Sequence, residues 1–365
     1  MSHSTIRQYR LMLALIAVML LASSCLAGPA PKNIVLLIGD GMGIGHVTAA
    51  RCAGPGQDGR LTIDTMPITG FLITYSANSM VTDSAAAGTA LATGAKTNNG
   101  TISMSPDGTK LRSILEAARD MGKSTGIIST TSIVDATPAV FVAHVPSRAQ
   151  SEDIAAQLLA SRVNVALGGG KRNFTPESAG GKRKDGRDIL EEAKKRGYDV
   201  FDTADAMAKS TSDRMIGLFD FGPNSEPSIA DMTSKAISVL SKNNKGFFLM
   251  SEGGLIDPNA HGGNAQGMVK ETLMFDEAVR VALEFARKNS DTLVVVTADH
   301  ETGGVAAYSA DEENPKFTAR FISGGHSANM VPVYAFGPGA ELFSGTHDNT
   351  DIPKICAGLW KQKLN

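Results

Sequence analysis

Short apolar runs recur along the chain at Ile34–Ile38, Phe71–Thr74, Thr125–Ser129, Val163–Leu167, Phe247–Ser251, Leu293–Thr297 and Val331–Phe336. They are rich in branched and aromatic residues and too short for helices, so they read as buried strands. Between them, apolar positions recur at helical spacing over Ser84–Leu91, Leu111–Met121, Ala149–Ala160, Asp188–Lys195, Ile229–Leu240, Gln266–Ala286 and Ile352–Trp360. Strands that are apolar throughout need cover on both faces, and helical crossovers join parallel strands. The pattern predicts an α/β fold: a three-layer sandwich with a central, mainly parallel sheet flanked by helices. No repeat of fixed period and no break in composition interrupts it, so residues 31–365 read as one domain. Asn173–Gly186 is expected to have the weakest order. The basic residues in and around it, Lys171, Arg172, Lys182, Arg183, Lys184 and Arg187, could attract anions but fit a solvated loop better.

The first residues follow another logic. Arg7 and Arg10 precede the apolar run from Leu11 to Ala22, and Ser23-Ser24-Cys25-Leu26-Ala27 follows. Basic, then apolar, then small is the order of a secretory signal, and the run is shorter than the ~20 residues of a spanning helix. Two endings are open. Cleavage after Ala27 releases a soluble protein; cleavage before Cys25 leaves a thiol for lipid attachment. Either way the mature chain leaves the cytoplasm, periplasmic or anchored. Only Cys52 and Cys356 then remain, able to form a disulfide or to stay as two buried thiols.

Composition narrows the function. Lys+Arg 35 against Asp+Glu 37 gives a net charge of −2, with no basic surplus for holding nucleic acid. Hydrophobic residues at 42% exclude a mostly disordered chain.

The chemistry sits at strand ends. Asp40 follows Ile34–Ile38, Glu252 follows Phe247–Ser251, and Asp299 and His300 follow Leu293–Thr297. Asp135 and Thr137 come shortly after Thr125–Ser129. A parallel sheet gathers such positions along the carboxyl edge, where ligands bind. Several carboxylates on one rim repel unless cations hold them, so divalent metal is the economical explanation. Asp257 and His261, spaced i, i+4, share one face of a helical turn, and His326 lies in the flexible Gly324-Gly325-His326. Mixed Asp/His sets suit Zn²⁺, and oxygen-only sets suit Mg²⁺. His46, His144 and His347 read as structural, at most lying behind the site. Asp83-Ser84 opens an alanine-rich helix, which puts the serine hydroxyl at the positive helix end, favourable for phosphate; alone, such a serine is usually only a cap. No Gly-x-Ser-x-Gly surrounds it, so a serine nucleophile here needs metal rather than a histidine base.

In chain order stand Ile38-Gly39-Asp40-Gly41-Met42-Gly43, the Asp83-Ser84 string, Asp135-Ala136-Thr137-Pro138, His144-Val145-Pro146-Ser147-Arg148, Glu252-Gly253-Gly254, Thr297-Ala298-Asp299-His300-Glu301-Thr302-Gly303-Gly304 and Gly325-His326. Together they resemble the alkaline phosphatase family, over roughly Pro31 to Trp360. The resemblance implies a metal-dependent phosphomonoesterase of broad specificity acting on small phosphate monoesters. It implies Ser84 as the phosphorylated nucleophile and Arg148 as the clamp on two phosphate oxygens. Asp257, His261 and His326 are then similar to the ligands of one zinc, and Asp40, Asp299 and His300 to those of a second. Thr137 and Glu252, with Asp40 bridging, resemble the magnesium ligands, and Asp135 touches that third site largely through water. Family members are commonly homodimers.

Two departures stand out. Pro258 follows Asp257 where many members carry Lys, His or Trp, which puts phosphate affinity, rate and pH optimum in question. Only residues 301–325 separate His300 from His326, so any crown-like insertion is short. A phosphodiesterase of the same superfamily and a non-catalytic phosphate- or metal-binding surface lipoprotein remain as alternatives. A sulfatase does not, because Ser84-Ala85-Ala86-Ala87-Gly88 lacks the x-Pro-x-Arg continuation.

Overall fold

The computed structural model describes residues 30–56, 58–221, 226–309 and 317–365. The export signal expected over residues 1–27 and the lipid attachment considered at Cys25 fall outside the described residues. Fourteen strands are present among the described residues: β1 (Asn33–Gly39), β2 (Ile68–Ile73), β3 (Ser124–Ser132), β4 (Val165–Gly169), β5 (Asp199–Phe201), β6 (Met215–Leu218), β7 (Phe247–Gly253), β8 (Thr292–Thr297), β9 (Glu301–Thr302), β10 (Ala306–Ser309), β11 (Phe317–Arg320), β12 (His326–Ser327), β13 (Val331–Phe336) and β14 (Gly345–Asp348). Ten of them form one sheet in the order β14-β2-β13-β8-β1-β7-β3-β4-β6-β5. From β8 to β5 every pairing is parallel. Only β13 runs against its neighbours β8 and β2. The sheet is therefore mainly parallel, as the apolar runs predict.

β1, β7 and β8 are buried at every position, which is why their sequences show no alternation. Adjacent side chains of β7 show the two covered faces. Phe247 packs on Phe285 with ring centroids 5.8 Å apart, and Phe248 meets Trp360 at 6.5 Å. Phe285 belongs to the helix Ala265–Lys288, which packs with Ile229–Leu240 and Ile44–Ala53 in one layer. Trp360 ends the helix Asp351–Leu359, which packs with Ser84–Thr93 and Ile114–Asp120 in the opposite layer. Among the described residues, no helix is long and apolar enough to cross a membrane.

Several sequence expectations are corrected in detail. The expected helix Leu111–Met121 starts only at Ile114, because Ser113 caps it: its Oγ accepts from Glu116 N–H, and the Glu116 carboxylate accepts from Ser113 N–H. Asn173–Gly186 is not uniformly solvated. The Arg183 side chain is buried, donating to the carbonyls of Glu152 and Asn173 and paired with Asp185, so this stretch is anchored from beneath. Cys52 and Cys356 are both free thiols. Burial pushes the Cys356 thiol up to about 12. The short insertion between His300 and His326 contains the antiparallel hairpin of β10 and β11, whose connection lies outside the described residues.

Candidate active site

β8, β1, β7 and β3 lie side by side at the middle of the sheet. These are the four strands that precede the acidic residues singled out from the sequence. Because they are parallel, Asp299 and His300 after β8, Asp40 after β1, Glu252 in β7 and Asp135 beyond β3 come to one edge. Gly41 makes the approach possible. Its φ is +71°, and a Cβ there would lie 2.9 Å from Asp257 Oδ1 and 2.8 Å from Thr302 Oγ1.

The helix Ser84–Thr93 begins with Asp83 as its cap, whose Oδ1 accepts from Ala86 N–H at 2.9 Å. Capping by Asp83 leaves the Ser84 hydroxyl free for other work. Ser84 Oγ lies 3.2 Å from His300 Nε2. His300 Nε2 is also 3.4 Å from Asp40 Oδ1 and 3.3 Å from Asp299 Oδ2.

Protons on the histidines can be placed from their partners. Thr302 Oγ1 donates its one hydrogen to Asp257 Oδ1 at 2.5 Å, so it can only accept from His300 Nδ1 at 3.2 Å. That leaves Nε2 of His300 as a bare lone pair. His326 Nδ1 lies 2.9 Å from the Thr82 carbonyl, and His261 Nδ1 2.7 Å from that of Gly324. Carbonyls only accept, so the proton of each neutral ring sits on Nδ1 and its Nε2 turns a lone pair inward. Those two Nε2 atoms are 3.1 Å apart, with Asp257 carboxylate oxygens 3.3 and 3.6 Å away. The ring of His326 stacks on His300 at 3.6 Å, drawing both sets into one centre.

Histidine nitrogens and carboxylate oxygens thus converge at common points. Asp257, His300 and His326 form one group whose ligand atoms lie within 4.8 Å of one another; Asp40, Asp299 and His300 form a second. His300 stands in both, whereas the resemblance placed it in the second alone. Asp40 Oδ1, Asp299 Oδ2, Glu252 Oε2 and Thr137 Oγ1 are buried with no hydrogen-bond partner. A buried carboxylate oxygen without a donor is costly, and a cation removes the cost. The donor set fits the metals expected from the sequence: nitrogen and carboxylate at the two histidine groups, oxygen alone at Glu252 and Thr137.

The electrostatics agree. Burial, then the charges of Asp299, Asp257, Glu252 and Asp135, hold the Asp40 carboxyl well above the ordinary range. Burial pushes Glu252 up to about 8 and raises Asp299. Burial lowers His300 to about 3, helped by the neighbouring His326.

Arg148 sits on the same rim. Nη1 donates to Asp83 Oδ2 at 3.3 Å and Nη2 to Asp135 Oδ1 at 2.9 Å. Burial alone would lower its pKa, but the carboxylates of Asp135 and Asp83 raise it, so the guanidinium stays charged. Pro258 lies in the helix Ile256–His261 and carries no polar side chain.

Three residues escaped the sequence reading. Thr302 links His300 to Asp257. Asp83 both caps the helix that begins at Ser84 and accepts from Arg148. Glu301, buried, accepts from the backbone of Gly304 and Val305 and from Ser327, fixing the turn that presents His300 and Thr302. All three stand inside motif strings already singled out; their polarity amid buried neighbours was the available signal. His46, fully buried, accepts from Gly43 N–H at 3.1 Å and is lowered to about 4 by burial, so it supports the turn after Asp40 from behind.

Residues 31–322 match the family model for alkaline phosphatase. The chain is 34% identical to alkaline phosphatase 4 of Bacillus subtilis, over 90% of this chain and 89% of that one. It is 36% identical to the alkaline phosphatase of Escherichia coli, over 88% and 84%. The fold superposes on the alkaline phosphatase of the Antarctic bacterium TAB5 with a TM-score of 0.82 at 35% identity, covering 91% of this chain and 99% of that one. The enzyme of Thermus thermophilus gives 0.84 at 26% identity, covering 92% and 93%.

Proposed function

The chain belongs to the alkaline phosphatase family and is a phosphomonoesterase, and from that premise we propose that it works through Ser84 in a site built to hold two Zn²⁺ and one Mg²⁺. The convergence beside Ser84 of histidine nitrogens with buried carboxyl oxygens that no donor reaches carries this proposal. Asp257, His261 and His326 would hold one zinc; Asp40, Asp299 and His300 the other; Thr137, Glu252 and Asp40 the magnesium, with Asp135 beside it. A variant of the TAB5 enzyme has been solved with magnesium in a site called M3. Bound metal would supply Lewis-acid charge for the oxygens that become negative.

The chain's own residues do the rest. Arg148 takes two non-bridging phosphate oxygens, which fixes the phosphoryl group with its phosphorus facing Ser84. Ser84 Oγ forms a bond to phosphorus as the bond to the alcohol oxygen breaks; the serine proton passes to solvent, and the departing alkoxide takes a proton from solvent. Water then attacks the phosphoserine from the face the alcohol left, restoring Ser84 and releasing phosphate. Two inversions give net retention at phosphorus. Arg148 favours a terminal phosphate, whose oxygens are free, over a diester. The basic-then-apolar start of the sequence supports export, to the periplasm or to a lipid anchor at Cys25, with residues 31–365 as the catalytic domain. A homodimer is proposed on family grounds alone.

The test is hydrolysis of a chromogenic phosphate monoester and its matching diester by metal-loaded wild type and Ser84→Ala. We expect monoester preference and a loss of at least about a thousandfold in the variant. Equal turnover in the variant would refute the serine route, and a diester preference would refute the substrate assignment.

A further inference from the structure

We propose that His144 is a positioning residue for phosphate binding: it fixes the loop from which Arg148 is hung. The inference rests on Arg148 being the phosphate clamp. Its motif neighbours in His144-Val145-Pro146-Ser147-Arg148 have so far had no role.

Arg148 lies in an irregular segment, with neither helix nor strand to fix its backbone. What holds that backbone is its N–H donating to the Gly100 carbonyl at 2.7 Å. Gly100 N–H in turn donates to Asp83 Oδ2 at 3.0 Å, the oxygen that also accepts from Arg148 Nη1. Residues 100–103 are therefore a frame touching Arg148 at both its backbone and, through Asp83, its guanidinium.

The frame is held at its far end. Ile102 and Val145 exchange both backbone hydrogen bonds, at 3.0 and 3.1 Å. The next residue, Ser103, has φ +44°, a left-handed conformation that serine rarely adopts. Such a conformation persists only where its surroundings over-determine it. Here every polar group of Ser103 is engaged. Its N–H donates to Thr89 Oγ1 in the nucleophile helix at 2.9 Å, its hydroxyl donates to the Val140 carbonyl, and its carbonyl accepts from Leu111 N–H at 2.9 Å and from His144 Nδ1 at 2.8 Å.

His144 is itself secured on three sides. Its N–H donates to Gln157 Oε1 at 2.9 Å, its carbonyl accepts from Gln157 Nε2 at 3.3 Å, and its Nε2 faces Glu116 Oε1 at 3.3 Å. Burial works to lower its pKa, but Glu116 and the Ser103 carbonyl outweigh this and raise it. The imidazole thus ties the capped end of the helix Ile114–Asp120 to the strained residue next to the Arg148 frame.

The experiment measures inhibition by inorganic phosphate, together with bound metal and melting temperature, in metal-loaded protein. Asn at 144 can present its amide N–H where Nδ1 stood and still reach the Ser103 carbonyl. Gln reaches toward Glu116 instead, and Leu reaches neither. His144→Asn should keep phosphate affinity within about twofold, whereas His144→Gln and His144→Leu should weaken it roughly three- to tenfold with metal content unchanged. The same substitutions in an Arg148→Ala background should have no further effect, because the group they position is gone. Equal phosphate constants in all His144 variants, with only melting temperatures shifted, would overturn the proposal. So would a loss in His144→Asn that His144→Gln spares, or an undiminished His144→Leu effect in the Arg148→Ala background. An Arg148→Ala protein that binds phosphate as wild type does would instead overturn the clamp assignment itself.

Discussion

Ser84 Oγ and His300 Nε2 lie 3.2 Å apart, 216 residues apart in sequence. The distance suits a serine and its general base, but the surroundings do not. A base should have a pKa near the working pH, and burial with the neighbouring His326 holds His300 down at about 3. Its lone pair also points at Asp40 and Asp299, both carrying buried oxygens without donors. The role proposed for His300 is therefore that of a cation ligand beside Ser84 and not of its base, unlike the histidine of a Ser-His-Asp hydrolase.

Thr302 should control metal affinity without touching metal. Thr302→Val removes both the acceptor for His300 Nδ1 and the donor to Asp257 while nearly keeping the shape. Zinc affinity should fall by about 10–100-fold. Competition with a chromophoric chelator measures this. An unchanged zinc constant would show that the hydroxyl only fills space.

Arg148→Lys should fail to restore phosphate binding. The guanidinium is planar by resonance, and Asp83 and Asp135 fix its orientation through one Nη each, a geometry a single ammonium cannot copy. Phosphate inhibition should weaken by about tenfold or more in Arg148→Lys, nearly as much as in Arg148→Ala. A lysine variant with wild-type affinity would mean that charge alone suffices.

Metal-free protein should lose stability as pH rises. The native pKa of Glu252 is raised from 4.5 to about 8, and those of Asp40 and Asp299 are raised too. Between the ordinary and native values the folded state binds more protons than the unfolded, so stability falls with pH. The contribution is complete below about pH 4.5 and gone once the pH passes about 8. Metal takes the place of those protons, so zinc and magnesium should raise the melting temperature more at the alkaline end. Calorimetry of chelated and reloaded protein across that interval checks it. A metal-induced rise that shrinks with pH would contradict the buried-carboxylate account.

The parts of this site visible in the sequence are those that depend on strand ends. Asp40, Glu252 and Asp299 could be placed on one edge because fully apolar runs mark parallel strands whatever their partners. The i, i+4 spacing of Asp257 and His261 likewise gave one helical turn, and both fall in the helix Ile256–His261. What was not visible depends on contacts far along the chain. β14 has the polar sequence Gly345–Asp348 and is a strand only because β2 lies beside it. β5 and β6 have three and four residues, too few to show a period. The helix Ile44–Ala53 carries His46, Thr48 and Arg51 among small residues, so its buried face does not show as a periodic apolar stripe. Thr302 is an unremarkable residue until folding sets its hydroxyl between His300 and Asp257. Arg183, in a run of basic residues, looks solvated until the carbonyls that bury it are known.

The central claim is that Ser84 carries the phosphoryl group, and the most direct measurement is to catch it there. Metal-loaded protein would be mixed with a phosphate monoester, quenched in acid, digested and mapped by mass spectrometry. We predict phosphate on the peptide containing Ser84, absent after chelation and absent in Ser84→Ala. Phosphate on another residue, or full turnover with Ser84 never modified, would contradict the account.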